Sequence, residues 1–185
     1  MDRAEMVALI RGGVPTPGGA WAEIGAGMGH FTLALAELLG PGATITAIDR
    51  DAQAVRQLMR LQAPAAIVPR QADFTRPLGL AGLDGVLAAN ALHFARDQAA
   101  VVAQLVAALR PGGRLLVVEY HLLAPRPWVP FPLPPERLAA LAARAGLGPP
   151  AIVGQRRSPS SGIEMYAAVC ELPQGLLQPG ARPVQ

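Results

Sequence analysis

The spacing of hydrophobic residues along the chain predicts strands that alternate with helices. Short apolar runs, each bounded by glycine, proline or a charged residue, predict strands at residues 20–24, 44–48, 66–68, 84–89 and 115–118. Apolar residues at helical spacing predict an amphipathic N-terminal segment and helices at residues 29–39, 51–61, 97–109 and 135–145. Two further strand candidates, 151–157 and 163–170, flank a turn short enough to require antiparallel pairing.

This order of elements predicts an α/β fold: a doubly wound, mostly parallel sheet of seven strands with a C-terminal antiparallel hairpin. A single domain is expected over residues 1–171, and residues 172–185, rich in Pro, Gly and Gln, are expected to form a flexible tail. In open sheets of this kind, ligands bind beyond the carboxyl ends of the strands where the strand order reverses. We therefore expect the site between the first and fourth strands.

Composition excludes several classes of protein. Hydrophobic residues make up 51% of the 185 residues and charged residues 16%, which is enough apolar surface for a folded core. No apolar run approaches the roughly 18–20 residues of a membrane-spanning helix, and the first residues do not resemble an export signal, so a cytoplasmic protein is expected. The single cysteine, Cys170, lies in an apolar run that predicts a buried, inert thiol.

The distribution of charge argues against a nucleic-acid surface. The net charge is +3, and all 16 basic residues are arginines because the chain contains no lysine. These arginines are scattered, with Arg156 and Arg157 the only adjacent pair, so no extended nucleic-acid footprint is evident.

We expect either a monomer or a homodimer.

A glycine-rich loop joins the first strand to the next helix. Residues 23–30 read Glu-Ile-Gly-Ala-Gly-Met-Gly-His, and such glycines permit a tight turn and close approach of a ligand to the backbone. The dinucleotide fingerprint requires Gly or Ala three positions after its second glycine, where this chain has His30. A nicotinamide site is therefore disfavoured, and a Tyr-x-x-x-Lys pair is excluded by the lack of lysine.

The loop pattern resembles the first motif of class I methyltransferases that use S-adenosylmethionine. The resemblance extends from Trp21 to Cys170 and includes a fourth-strand motif at residues 84–94 and a Pro-Gly-Gly turn at residues 109–115. It is similar to the small-molecule type, such as the ubiquinone and menaquinone biosynthesis group. The resemblance implies a Rossmann-like fold, S-adenosylmethionine as cofactor, and in-line methyl transfer to an O, N or C nucleophile of a small molecule. It implies no metal.

The same resemblance implies roles for residues at the first and fourth strand ends. The loop residues Gly25, Ala26 and Gly27 are expected to approach the cofactor. Glu23 is expected to hold its methionine amino group, directly or through water, because a buried carboxylate needs a partner. Asn90 is expected to face the methionine part.

Residues after the second and third strands are assigned to the adenosine part. Asp49 is expected to accept hydrogen bonds from the ribose hydroxyls, with Arg50 beside the adenine. Asp49 is also a possible helix cap, but Asp51 is better placed for that. Asp73 and Phe74 are expected to contact the adenine amino group and ring, with an ordinary loop acid as the alternative for Asp73.

Two histidines are candidate general bases for an oxygen or nitrogen acceptor. His93 and His121 follow the fourth and fifth strands, with Glu119 and Tyr120 behind them. For each histidine the alternative is a residue that only lines or caps the cleft.

The acceptor is the least specified part of the sequence. The loop at residues 126–132 carries Trp128 and Phe131, which are expected either to wall an apolar pocket or to pin the loop by packing. An Asn-Pro-Pro-Tyr type motif of amino-methylating nucleic-acid enzymes is missing, so a small-molecule acceptor is favoured. The alternatives are a catalytically silent S-adenosylmethionine-binding or partner protein, then a nucleic-acid or protein methyltransferase, then an NAD-dependent oxidoreductase.

Overall fold

A computed structural model describes residues 1–175 of the chain, so residues 176–185 of the expected flexible tail lie outside the described residues. The strands are β1 (Ala20–Ile24), β2 (Thr44–Asp49), β3 (Ala66–Gln71), β4 (Leu83–Ala89), β5 (Leu109–Tyr120), β6 (Ala151–Arg157) and β7 (Glu164–Glu171). The α-helices are α1 (Arg3–Ile10), α2 (His30–Leu39), α3 (Ala52–Leu58), α4 (Gln98–Ala108) and α5 (Pro135–Arg144).

The strands form one seven-stranded sheet in the order β3-β2-β1-β4-β5-β7-β6. Strands β1 to β5 pair in parallel, and β7 is antiparallel to both β5 and β6. The predicted Rossmann-like fold with its C-terminal antiparallel hairpin is therefore confirmed. Strand order reverses between β1 and β4, which are hydrogen-bonded neighbours, so their carboxyl ends open onto one rim.

Alternation of side chains along the strands produces two hydrophobic layers. In β1, Ala22 and Ile24 pack in the layer that includes α4 and α5, whereas Trp21 packs in the layer that includes α1 and α2. Both faces of the sheet are covered, which explains why the central strands are mostly apolar on both faces. Cys170 is buried in this core, where loss of hydration raises the pKa of its thiol to about 12, as expected for an inert residue.

Three element boundaries differ from the sequence prediction by three residues or more. Helix α3 ends at Leu58 instead of residue 61, and β3 continues to Gln71 because β2 offers it a hydrogen-bonding partner as far as Asp49. Strand β5 begins at Leu109, since Leu109 already pairs with Leu83 before the register shifts. The Pro-Gly-Gly segment thus lies in an irregularity of the strand, and Gly112 adopts a φ of +79° there.

No helix among residues 1–175 is long and apolar enough to cross a membrane.

Candidate active site

A cavity of about 280 Å³ lies at the carboxyl ends of the parallel strands. Its lining residues come from the segments that follow β1, β2, β3 and β4: Gly25, Gly27, Asp49, Arg50, Asp73, Phe74, Thr75, Asn90, Ala91 and Phe94. The lining includes seven of the nine residues that the sequence assigned to the cofactor. The two that do not line the cavity are Glu23 and Ala26. Parallel pairing brings these distant segments together because every strand ends at the same rim.

The glycine loop needs glycine at the positions that face the cavity. Gly25 and Gly27 have φ angles of +64° and +53°, in the left-handed region that disfavours other residues. A Cβ atom at Gly25 would lie 2.8 Å from Cβ of Ala91, which is too close. Ala26 is instead buried, and its N–H donates to Ile48 O at 2.9 Å, fixing the loop to the end of β2.

Asp49 links this loop to the start of α3. Its Oδ2 accepts a hydrogen bond from Gly27 N at 2.8 Å, and its Oδ1 accepts one from Asp51 N at 2.9 Å. A carboxylate has about four acceptor positions, so Asp49 retains capacity for hydroxyl donors in the cavity. The cap of α3 is Asp51, whose Oδ1 accepts from Gln53 N at 2.8 Å, as predicted.

The segment after β3 supplies a carboxylate and an aromatic ring. Asp73 Oδ1 accepts from Thr75 N at 2.9 Å and from Thr75 Oγ1 at 2.8 Å, and these hydrogen bonds hold the pKa of Asp73 below its usual range. Phe74 packs against the α4 side of the core, and its carbonyl accepts from Gln104 Nε2 at 2.5 Å. The cavity thus has a fixed apolar wall beside an ionised acid.

Asn90 is the residue with the most unusual local geometry. It has a φ of +51° and is the only non-glycine residue with positive φ among residues 1–175. Its N–H donates to Val118 O at 2.8 Å, while its buried Oδ1 has no hydrogen-bond partner. Asn90 lines the cavity, so this residue of positive φ lies at the rim where the parallel strands end.

Glu23 lies away from the cavity lining. Its side chain is buried and accepts a hydrogen bond from Thr32 Oγ1 of α2 at 2.5 Å. Burial raises the pKa of Glu23 to about 8, the nearby Asp49 carboxylate adds to the increase, and the Thr32 hydrogen bond opposes it. Thr32 is therefore the hydrogen-bond partner that the protein itself gives Glu23, and the assignment of Glu23 to the methionine amino group, directly or through water, stays a prediction.

His93 forms a buried pair with a carboxylate of β5. Its Nδ1 lies 2.6 Å from Glu119 Oε2, and its backbone N–H donates to Glu119 Oε1 at 3.2 Å. Its ring centroid is 4.3 Å from that of Phe94, which lines the cavity. Glu119 therefore fixes both the backbone and the ring of a histidine beside the cavity.

His121 is placed differently from His93. It is exposed after β5, does not line the cavity, and its N–H donates to Glu164 O at 2.9 Å.

Trp128 packs edge-on against Tyr120 with ring centroids 4.9 Å apart. Phe131 is half-buried and contributes backbone groups, donating its N–H to His93 O at 3.1 Å. Of the two candidate bases, the geometry favours His93.

Sequence reasoning did not assign several residues of this site. Thr75, Ala91 and Phe94 line the cavity. Thr75 directly follows the assigned residues Asp73 and Phe74, and Ala91 and Phe94 lie on either side of His93 in the fourth-strand motif. Gln98 was missed entirely: its buried Nε2 donates to Leu92 O and Phe131 O. No local pattern marks a glutamine in the first turn of a helix as a connector between two loops.

Comparison with known structures gives the same fold. A carbon methyltransferase, CurJ, has a TM-score of 0.70 at 18% identity, covering 86% of this chain and 50% of that one, so the chain spans about half the length of that relative. A SAM-dependent methyltransferase from Methanosarcina mazei has a TM-score of 0.69 at 15% identity, with 90% of this chain and 98% of that one covered.

A third structure, 1,6-didemethyltoxoflavin-N1-methyltransferase from Burkholderia thailandensis, contains 1,6-didemethyltoxoflavin and S-adenosylhomocysteine. It has a TM-score of 0.70 at 19% identity, with 93% of this chain and 78% of that one covered. No curated protein matches the sequence significantly. The sequence profile described as "Methyltransferase domain" matches residues 22–115, about half of the chain, and this segment contains every residue of the cavity lining. The chain therefore belongs to the methyltransferase domain family.

Proposed function

We propose that the protein transfers the methyl group of S-adenosylmethionine to an O, N or C nucleophile of a small molecule. The observation that carries this proposal is the convergence, in one cavity, of the glycine loop, Asp49 and Asn90. The family and the solved structures support the same chemistry: CurJ is a carbon methyltransferase, and the Burkholderia thailandensis enzyme is an N1-methyltransferase with 1,6-didemethyltoxoflavin bound.

The residues of the cavity fit S-adenosylmethionine. Asp49 retains acceptor capacity for ribose hydroxyls, and Phe74 offers an apolar surface for adenine, with Asp73 as an acceptor for its amino group. Asn90 lines the same cavity, and we assign it to the methionine part of the cofactor. When bound, this cofactor supplies an electrophilic methyl carbon: the acceptor atom bonds to it, the carbon–sulfur bond breaks, and the electron pair stays on sulfur.

We assign His93 as the residue that receives the acceptor proton. Glu119 accepts at Nδ1 of the ring, which leaves Nε2 for the acceptor and stabilises the imidazolium that forms. Contact with Phe94 places this ring next to the cavity without making it part of the lining. Alignment of the acceptor supplies the other part of catalysis, about 7–11 kcal/mol for a well-oriented pair.

Calorimetric titration of the full chain with S-adenosylhomocysteine, with NAD as comparator, tests the proposal. We expect micromolar binding of S-adenosylhomocysteine and none of NAD. Asp49→Ala should weaken this binding by about 1–3 kcal/mol, because ribose hydroxyls and the Gly27 N–H lose their acceptor. Asp51→Ala is the matched control: it removes a neighbouring carboxylate outside the cavity and should leave the affinity unchanged.

The same preparation separates binding from proton transfer. His93→Gln should bind S-adenosylhomocysteine as the natural protein does, yet lose about 10²–10⁴-fold in methyl transfer to an acceptor that carries a proton. Absence of S-adenosylhomocysteine binding, or equal affinity in folded Asp49→Ala, would refute the cofactor assignment.

A further inference from the structure

A second cavity lies at the opposite end of the strands from the cofactor cavity. Its volume is about 290 Å³, and it is bounded by the segment that precedes β1, the start of β4 and the start of β5. The cofactor cavity is bounded instead by segments that follow strands. Strand β1 lies between the two cavities and, with five residues, spans roughly 16 Å. The second cavity, which we call the amino-end cavity, is therefore separate from the proposed methyl-transfer site.

Hydrogen bonds hold both walls of the amino-end cavity in place. In the segment before β1, Gly18 N donates to Leu39 O, in the last residue of α2, at 2.8 Å. At the start of β5, Gly112 N donates to Leu172 O, just after β7, at 2.9 Å. Each wall is thus tied to a distant part of the chain, and a ligand would enter a site that is already formed.

The floor of the amino-end cavity is apolar. Trp21 lines it and is only 3% exposed, because its ring lies against Gly85 of β4, where a Cβ atom would collide with it. Pro15 and Pro17 add two more apolar rings to the lining. Apolar walls with a few polar groups are typical of sites that bind small organic molecules.

The charged groups of the cavity offer hydrogen-bond donors. Three charged residues line it: Asp84, Arg110 and Arg114. Asp84 is engaged at both oxygens, since Oδ2 accepts from Ala20 N at 2.6 Å and Oδ1 forms an ion pair with Arg110 Nη2. Arg114 Nη1 lies 3.3 Å from Glu171 Oε1. A guanidinium group has five N–H donors, so both arginines keep donors beyond these contacts.

The ion pairs leave the lining positively charged. Glu171 does not line the cavity, and its side chain is 62% exposed, so water weakens its attraction to Arg114. Two guanidinium groups and one carboxylate give the lining a net charge of +1. Asp84 also holds Arg110 in one orientation, which reduces the conformational entropy lost when that side chain binds a ligand. The cavity therefore suits an anion with several acceptor oxygens.

We propose that the amino-end cavity binds the phosphate group of a small organic molecule, held by Arg110 and Arg114. A phosphate monoester carries three strong acceptor oxygens, enough for two guanidinium groups at once, whereas a carboxylate has two oxygens and a single charge. The apolar floor at Trp21 then contacts the carbon part of the ligand. This site does not rest on the proposed methyl transfer, because the two cavities lie at opposite ends of β1.

Trp21 supplies a direct signal for the test. The chain has two tryptophans, so Trp128→Phe leaves Trp21 as the single one, and it lines the cavity. The full chain with this substitution is titrated with glycerol 3-phosphate, and with glycerol and acetate as comparators at constant ionic strength. Fluorescence and equilibrium dialysis are followed together. We expect saturable binding of glycerol 3-phosphate, roughly tenfold or more tighter than that of either comparator.

Substitution of each arginine locates the binding. Arg110→Gln and Arg114→Gln, made separately, should each weaken glycerol 3-phosphate binding roughly tenfold or more through loss of charge-assisted hydrogen bonds. Arg144→Gln is the matched control: it removes the same charge from an exposed position of α5 outside the cavity and should change the affinity less than about twofold. Denaturant unfolding shows which variants are folded, and two separate substitutions keep the test valid if one destabilises the chain.

The result is distinguishable from failure of the cofactor assignment. Absence of glycerol 3-phosphate binding by dialysis, equal affinity for acetate, or unchanged affinity in a folded arginine variant would overturn the phosphate site. S-adenosylhomocysteine is titrated into the same preparation. If it binds while glycerol 3-phosphate does not, only the phosphate site is overturned, and the converse result overturns only the cofactor assignment.

Discussion

Glu23 shows how one buried residue adjusts its chemistry to its surroundings. Its side chain lies between β1 and α2, accepts a hydrogen bond from Thr32, and is close to the like charge of Asp49. Burying the carboxyl group costs less free energy when it is a neutral acid than when it is an anion. Its pKa therefore rises to about 8. The folded protein therefore holds a proton on Glu23 at neutral pH.

This proton makes stability depend on pH. Below about pH 4.5 the Glu23 carboxyl is protonated in both states, whereas between about 4.5 and 8 it is ionised only in the unfolded chain. Because the folded state binds more protons in this window, the free energy of unfolding contributed by Glu23 decreases as pH rises. We expect Glu23→Gln, which stays neutral and can still accept from Thr32, to lose less stability than the natural protein between pH 5 and 8.

Denaturant unfolding at several pH values measures this difference. Glu37→Gln is the matched control, since Glu37 is exposed on α2, the helix that carries Thr32, and the substitution should leave the pH dependence unchanged. Parallel curves for the natural protein and Glu23→Gln would contradict the raised pKa.

At the scale of elements, a glutamine of α4 joins two loops that carry the site. Gln98 is buried, and its Nε2 donates to Leu92 O at 3.1 Å and to Phe131 O at 2.8 Å. The first carbonyl belongs to the turn that holds His93, and the second belongs to the proline-rich loop after β5. Tyr166 OH adds a further bond to this loop by donating to Leu133 O at 2.5 Å.

Gln98→Leu should therefore loosen the proline-rich loop. The substitution keeps apolar volume but leaves two carbonyls without their donor, at a cost of about 1–3 kcal/mol. We expect a lower free energy of unfolding and faster proteolytic cleavage within residues 121–134. Gln53→Leu, at an exposed position of α3, should change neither quantity. Unaltered cleavage of folded Gln98→Leu would show that the loop is held by its other contacts.

Over the whole molecule, the first helix is bound to the last strands. Helix α1 packs on α2 and on β6, and Arg156 Nη2 of β6 lies 2.7 Å from Glu5 Oε1. Such a partly exposed ion pair contributes little stability. The apolar contacts matter more, because Met6, Val7, Leu9 and Ile10 are all buried.

Ile10→Ala tests this coupling between the ends of the described chain. Ile10 is fully buried, so the substitution should lower the free energy of unfolding by about 2–5 kcal/mol. Met59→Ala, at a 67% exposed position, should have a much smaller effect, and both variants are compared by denaturant unfolding. S-adenosylhomocysteine affinity of folded Ile10→Ala should be unchanged, since α1 does not line the cavity. A loss of affinity would indicate that α1 contributes to the site.

The elements, the class of fold and most of the cavity lining could be predicted from the sequence. Hydrophobic periodicity and turn residues act over a few positions, and parallel strands necessarily end at one rim, so Gly25, Asp49 and Asn90 could be grouped before any contact was known. Element ends were less predictable: β3 extends beyond residue 68 because its neighbour β2 provides hydrogen bonds, which is a property of the sheet.

The pairing of side chains could not be predicted from the sequence. His93 and Glu119 are 26 residues apart, and their 2.6 Å contact depends on the register between β4 and β5 and on the turn after β4. Glu23 does not line the cavity, and its side chain accepts a hydrogen bond from Thr32 of α2, a partner that the sequence did not indicate. Side-chain partners depend on register and on which face a residue occupies, and these follow from long-range packing rather than from local pattern.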